Sequence, residues 1–390
     1  MKKILRRILS VRGYEILRNT KIYLLRFLMI GMRVFPINDL KVVACNFNGK
    51  GYGDNPKYVS EVLKDSNFNI IWLVKEYYEN IPSYILQIKY GSLKAMYHLA
   101  TAKIWIDNNR KDPYIVKRKN QYYIQMWHGS ISLKKIEKDA VNVLNNNYIK
   151  NAQYDSTMID LMISNSNFSD WLFSNSFWYN GEILKCGSPR LDILFNDNGE
   201  FKNKFCKEKG ISKSSKFIMY APTFRDTPNM HIYEFNQKKL LDVLNNKYKE
   251  DFYLLVRLHP NLKDLVKFNN ENLNNVIDVS DYGDIYELMN ICEFLITDYS
   301  SLMFEFPIAH RKGVFLYTQD MEEYNRGFYF DLNKLPFPIS KSSEELIKCI
   351  EEFDNERFKC EVEKFYKKIG LIEDGNASIR VKEYICNLRD

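Results

Sequence analysis

The seven cysteines of this 390-residue chain form no CxxC pair and are odd in number. That argues against a zinc site and against a disulfide framework, and it fits a reducing cytoplasm. No apolar run is long enough to span a bilayer; the longest, around Ile22–Met32, is interrupted by Arg26. No small-residue cleavage site follows it, so it does not read as a signal peptide. The glycine-rich loop Gly49–Lys57 lacks both the lysine–serine ending of a Walker loop and the dinucleotide fingerprint. There is no G-x-S-x-G elbow and no Ser–His–Asp order. No DxD-type pair follows a predicted strand, so neither metal nor cofactor is expected. Internal repeats and low-complexity tracts are absent too.

What is present is globular: apolar residues make up 45% and charged residues 27%, enough for two ordinary cores in a chain of this length. The net charge of +7 is concentrated at one end. Residues 1–36 hold Lys2, Lys3, Arg6, Arg7, Arg12, Arg18, Lys21, Arg26 and Arg33 against Glu15 alone. A nucleic-acid binder would spread its basic stripe through the folded part, so no nucleic-acid partner is expected. Ile4, Leu5, Ile8, Leu9, Ile16, Leu17, Leu24, Leu25 and Leu28 recur between those charges at helical spacing. The segment 1–36 therefore reads as amphipathic helix held on an anionic membrane surface by apolar burial and charge. The alternative is a surface helix packed on its own domain.

From residue 40 onward, short apolar runs alternate with helical stretches. Leu40–Phe47, Asn69–Val74, Ala102–Asp107, Tyr122–Trp127 and Leu161–Ser164 read as strands. After the polar stretch Asn196–Lys216 the rhythm restarts with Phe217–Tyr220, Tyr253–Arg257, Val276–Val279, Phe294–Thr297 and Gly313–Leu316. Helices are predicted between them, among them Asn55–Leu63, Ser92–Thr101, Tyr286–Cys292 and Leu302–Ala309, and only helices over Ser342–Leu388. The pattern predicts an α/β protein of two Rossmann-like domains, 37–195 and 196–390, facing a cleft.

Ligands in such sheets bind outside the carboxyl ends of the strands, and the residues there are polar. His128-Gly129-Ser130 follows one strand: a histidine able to take a proton near neutral pH, then a sharp turn. Pro222-Thr223-Phe224-Arg225 follows another, offering a hydroxyl and a guanidinium that fits phosphate. His259 ends a third. Asp298-Tyr299-Ser300-Ser301 precedes a helix that runs through Glu305, a place where free N–H groups can meet an anion. Arg326 stands on a loop beside Gly327. Gly51, Asp54, Asn55 and Lys57 form an acceptor-side loop. Each motif also has a bland reading, as a helix cap, a strand-end hydrogen bond or an ion pair within its own loop.

Together these runs resemble the CDP-glycerol:poly(glycerophosphate) glycerophosphotransferase family, the teichoic acid primases and polymerases. The matching stretches are GDNPKY (Gly53–Tyr58), QMWHGS (Gln125–Ser130), CGSPRLD (Cys186–Asp192), YAPTFRD (Tyr220–Asp226), RLHP (Arg257–Pro260), ITDYSSLMFEF (Ile296–Phe306) and RGFYFD (Arg326–Asp331). The resemblance implies a GT-B-like fold, with acceptor on the N-terminal side and CDP-polyol on the C-terminal side. It implies transfer of glycerol phosphate from CDP-glycerol to a hydroxyl of a lipid-linked teichoic acid or capsule acceptor, with CMP released at the cytoplasmic face of a bacterial membrane. By motif, His128 would be the general base, His259 and Arg326 would steady the diphosphate, and Ser300 and Ser301 would seat phosphate. Pro222, Thr223 and Arg225 would line the donor pocket. Ser130-Ile131, Phe224 and Ser188 depart from the family's pattern. CDP-ribitol or another CDP-polyol stays open as donor, as does a GT-B sugar-nucleotide glycosyltransferase. A non-catalytic membrane scaffold would need neither histidine.

Overall fold

Fully apolar runs of four to six residues become central strands because both faces of a parallel sheet are covered. The computed structural model describes residues 11–225, 229–259, 262, 274–322 and 327–388. It contains two parallel sheets. The first is built from β1 (Asn38–Cys45), β2 (Asn69–Val74), β3 (Leu86–Lys89), β4 (Ala102–Asp107), β5 (Tyr122–Gln125), β6 (Leu161–Ser164) and β7 (Glu182–Lys185). Its strand order is β3-β2-β1-β4-β5-β6-β7. The second holds β8 (Lys216–Tyr220), β9 (Phe252–Val256), β10 (Val276–Asp278), β11 (Phe294–Thr297), β12 (Gly313–Tyr317) and β13 (Ile339–Ser340). Its order, β10-β9-β8-β11-β12-β13, repeats the same winding. In each sheet the order reverses once, between β1 and β4 and between β8 and β11. Those two switch points are where such sheets open a crevice.

Ten strands fall where the apolar runs predict them, within two residues at either end. The three unpredicted ones, β3, β7 and β13, are all edges. Their residues are mostly half-exposed, so they carry no continuous apolar signature. The predicted helix Leu302–Ala309 is only Leu302–Glu305. Residues 342–388 are indeed helical, as Ser343–Glu351, Asn355–Ile369 and Ala377–Asn387. The last of these leaves its sequence neighbours. Val381 and Ile385 are fully buried in the core of the first sheet, with Val59 of the helix Asp54–Val62 and Leu63 just after it. A boundary at 195/196 thus divides the two sheets, but the chain's final helix packs on the first.

The N-terminal segment forms one helix, Val11–Gly31, followed by a 3-10 turn, Met32–Val34. Ile22, Leu25 and Met29 pack on the first sheet's core. Among the described residues no helix is long and apolar enough to cross a membrane.

Candidate functional site

The loops after β1, β4 and β5 are tied together by an asparagine relay. Asn108, just past β4, accepts from the Phe47 N–H at 2.9 Å and donates to Asn46 at 2.8 Å. Phe47 and Trp127 adopt left-handed backbone conformations, with φ of 41° and 47°. Such geometry costs bulky residues about 1–3 kcal/mol and persists only when the surroundings over-determine it. Here they do. Asn55 donates to the carbonyls of Met126 and Trp127 at 3.2 and 3.1 Å, and Gln125 Oε1 accepts from the Trp127 N–H at 2.9 Å.

The turn presents His128. Its ring stacks on Trp127 with centroids 4.3 Å apart and lies 5.1 Å from Phe47. Nδ1 sits 2.8 Å from the Asn108 carbonyl. A carbonyl can only accept, so Nδ1 carries the proton and Nε2 holds the lone pair. Burial pushes the ring's pKa below the usual histidine value, against the opposing pull of the Asn108 carbonyl and of Asp54. A neutral ring with a bare Nε2 is the form a general base needs. Behind Trp127 lies the buried Arg110, 5.6 Å from its ring and ion-paired to Glu137 at 2.8 Å and Asp155 at 3.2 Å.

Gly129 and Ser130 are buried. A Cβ on Gly129 would stand 3.7 Å from Ser301 Oγ, so the His128 turn faces the Asp298–Ser301 turn of the other sheet at close range. Next along the chain, the Lys135 N–H donates to the Gly327 carbonyl and the Tyr329 N–H to the Leu133 carbonyl, each at 2.8 Å. Lys134 and Phe328 form an antiparallel bridge. Arg326 itself lies outside the described residues, as do Asp226 and Pro260; Gly327 beside Arg326 is thus held against the loop that carries His128.

On the second sheet, Asp298 accepts the Thr223 N–H at 2.9 Å and pairs with Arg225 at 2.7 Å. Arg225 also pairs with Asp320, which accepts from Tyr299 at 3.1 Å. Two carboxylates therefore occupy Arg225, leaving it as a brace joining the loops after β8, β11 and β12. Pro222 is buried beside it, and Thr223 Oγ1 is buried with no hydrogen-bond partner. His259 is exposed, its ring 5.5 Å from Phe224. Burial, and then the Lys50 ammonium from the first sheet's glycine loop, lower its pKa. Ser300 Oγ accepts from the Leu302 N–H at 3.3 Å, whereas Ser301 caps no N–H. The helix they precede has four residues, so its dipole adds little to any anion seat.

The remaining predicted residues fasten the two sheets. Arg190, fully buried, bridges Asp54 at 3.0 Å and Glu305 at 2.5 Å, and Glu305 also accepts from Tyr286 at 2.8 Å. Lys57 pairs with Asp284 and Glu287, both at 2.8 Å. Asp54, Asn55, Lys57 and Glu305 are thus engaged by the protein itself. Gly51, left-handed at φ 74°, accepts from the Trp72 indole at 3.2 Å, and a Cβ there would meet open space. Ser130 and Ser188, two of the departures from the family's pattern, meet each other, hydroxyl to hydroxyl at 2.9 Å. Sequence reasoning gave no role to Arg190, Asn108 or Asp320. Arg190 lay inside a recognised stretch; the other two carry no local signal. No cluster of metal-binding side chains occurs among the described residues.

A family model for CDP-glycerol:poly(glycerophosphate) glycerophosphotransferases matches residues 27–387. The chain belongs to that family. It is 31% identical over 383 residues to the teichoic acid poly(glycerol phosphate) polymerase of Bacillus spizizenii, covering 93% of this chain and 95% of the relative. It is 34% identical over 360 residues to the teichoic acid glycerol-phosphate transferase of Staphylococcus aureus, covering 87% and 91%. Its structure matches that of the wall teichoic acid polymerase TagF with a TM-score of 0.82 and 29% identity, over 98% of each chain. A TagF variant soaked with CDPG matches equally well, at 0.82 and 28% over 98% of each chain. This glycerophosphotransferase thus shares the fold of TagF, and its motif stretches follow strands of both sheets.

Proposed function

We propose that this glycerophosphotransferase moves glycerol phosphate from CDP-glycerol to a hydroxyl of a lipid-linked teichoic acid or capsule acceptor. The reading has two Rossmann-like lobes in a GT-B arrangement, the first taking acceptor and the second donor. The acceptor oxygen attacks the phosphorus that bears glycerol while its proton passes to Nε2 of His128. The bond from that phosphorus to the bridging oxygen breaks, and CMP leaves with the electron pair. An alcohol attacks poorly until its proton is being removed, and the departing charge needs donors near it. His259, Arg326, Ser300 and Ser301 would supply those, and the Thr223 hydroxyl, buried without a partner, is a further donor toward the nucleotide. Arg225 and Asp298 would shape the pocket.

One observation carries this reading: the His128 turn lies so close to the Ser300–Ser301 turn that a methyl group on Gly129 would fill the gap, and Asn108 fixes the tautomer of His128. We further read the helix Val11–Gly31 as lying on the cytoplasmic face of the membrane, which would bring the site to its lipid-linked acceptor.

The test is incubation with CDP-glycerol, CDP-ribitol or a UDP-sugar plus a lipid-linked acceptor, following free CMP or UDP. CMP should appear with CDP-glycerol. His128→Ala should lose at least about a hundredfold in rate while still binding CDP-glycerol. CMP from CDP-ribitol alone, or UDP from the sugar nucleotide, would replace the donor; near-normal turnover by the variant would remove the base.

A further inference from the structure

The helix Val11–Gly31 carries apolar side chains on both faces, with Ile22, Leu25 and Met29 packed on the first sheet's core. Ile16, Tyr23, Leu24 and Phe27 face solvent, Phe27 at 73% exposure and Tyr23 at 68%. Arg18 and Arg26 of the helix, and Arg33 of the 3-10 turn after it, are turned toward the protein. Arg18 donates to Asn147 at 2.7 Å, Arg26 to the Pro113 carbonyl at 2.7 Å and Arg33 to the Lys117 carbonyl at 3.2 Å. An ordinary surface helix keeps its outward face polar.

Between this helix and the helix Asn146–Ser156 lies a cavity of about 350 Å³. Arg18, Arg26 and Lys150 line it against one acid, Glu15, at its exposed rim. Arg26 is pinned: its guanidinium stacks over Tyr154 at 4.6 Å and one terminal nitrogen is used by Pro113. Three cations thus face the cavity against one acid, and phosphate oxygens are acceptors that guanidinium and ammonium groups fit. Tyr23 belongs both to the cavity's lining and to the exposed apolar face, so an anion in the cavity sits at the edge of that face.

We propose that this cavity binds the phosphate of an anionic phospholipid whose acyl chains lie along the exposed face. The proposal rests on the membrane reading given above and deepens it. Apolar burial supplies adhesion to any bilayer, and the cavity supplies the preference for a negative headgroup.

The experiment is flotation of the full chain with vesicles of phosphatidylcholine, alone or mixed with phosphatidylglycerol. Arg26→Gln combined with Lys150→Gln should lower binding to the mixed vesicles by about thirtyfold, at about 1 kcal/mol per cation near the surface. Binding to pure phosphatidylcholine should not change. Lys150→Gln alone, at an exposed position, should lose part of the preference without risk to the fold. Leu24→Ser with Phe27→Ser should weaken binding to both vesicles. If the cavity variants keep the full preference for phosphatidylglycerol while the apolar variant loses adhesion, the cavity assignment is wrong and the membrane reading stands. If the apolar variant also binds normally, the membrane reading falls. If inorganic phosphate stabilises the wild type but not the cavity variants, and no vesicle preference exists, the cavity is a free-anion site and the lipid assignment is overturned.

Discussion

His128 owes its chemistry to its neighbours. The Asn108 carbonyl holds the proton on Nδ1, and burial against Trp127 and Phe47 disfavours the imidazolium. A base works only when neutral, so lowering its pKa extends activity toward acid. The acidic limb of kcat/KM against pH should therefore fall below about 6.5, the ordinary histidine value. A limb at or above that value, measured with saturating acceptor, would show that His128 is not the titrating base. The histidine was legible from the sequence because it ends a strand in an α/β rhythm. Its partner was not, because Asn108 follows a different strand and only the sheet order places β4 beside β5. The same limit hid Asp320: Arg225 was visible as a candidate phosphate ligand, while the two carboxylates that occupy it come from 73 and 95 residues further along the chain.

At the scale of elements, nine of the ten strands that apolar runs revealed lie inside their sheets, the edge strand β10 being the exception, and the missed strands are edges with few buried side chains. Element identity was therefore readable where burial is complete, and fastening between elements was not readable at all. Arg190 is the case in point. Its stretch CGSPRLD stands out in the sequence, yet its role depends on Asp54 from the helix Asp54–Val62 and Glu305 from the helix Leu302–Glu305. The fully buried guanidinium joins one element of each sheet. Arg190→Met should cost about 3–5 kcal/mol, because it leaves two buried carboxylates without their cation. Urea unfolding measures it, and a loss below about 1 kcal/mol would mean that water replaces the arginine. Adding Glu305→Gln should recover part of the loss, since one stranded charge is then removed. Arg190→Lys should not restore the wild type, because a single ammonium cannot fork to both acids.

Across the whole molecule, besides the pairing of Leu133–Lys135 with Gly327–Tyr329, three further contacts among the described residues join the two sheets. One is Arg190. The second is Lys57 with Asp284 and Glu287, where burial works to lower the lysine's pKa and the two carboxylates more than offset it. The third is the return of the chain's end to the first sheet. Glu373 stands on that return path, between the helices Asn355–Ile369 and Ala377–Asn387. It accepts from Asn165 at 2.8 Å and from the Ser188 N–H at 2.9 Å, next to the Ser130–Ser188 contact behind the His128 turn. Burial raises its pKa to about 7, although Asn165 and Ser188 both favour the carboxylate. The unfolded chain ionises near 4.3, so the protonated side chain favours the folded state. That contribution is complete below about pH 4 and is lost as pH rises through 7, on the order of 3 kcal/mol in all. Glu373→Gln keeps one acceptor oxygen and cannot ionise. Several other buried acids also titrate, so the difference between wild type and variant isolates this one. The unfolding free energy of wild type relative to Glu373→Gln should fall between pH 5 and pH 8. A difference that is flat over that window, or that grows with pH, would show that Glu373 is ionised in the folded protein and that the strap is held by its charge.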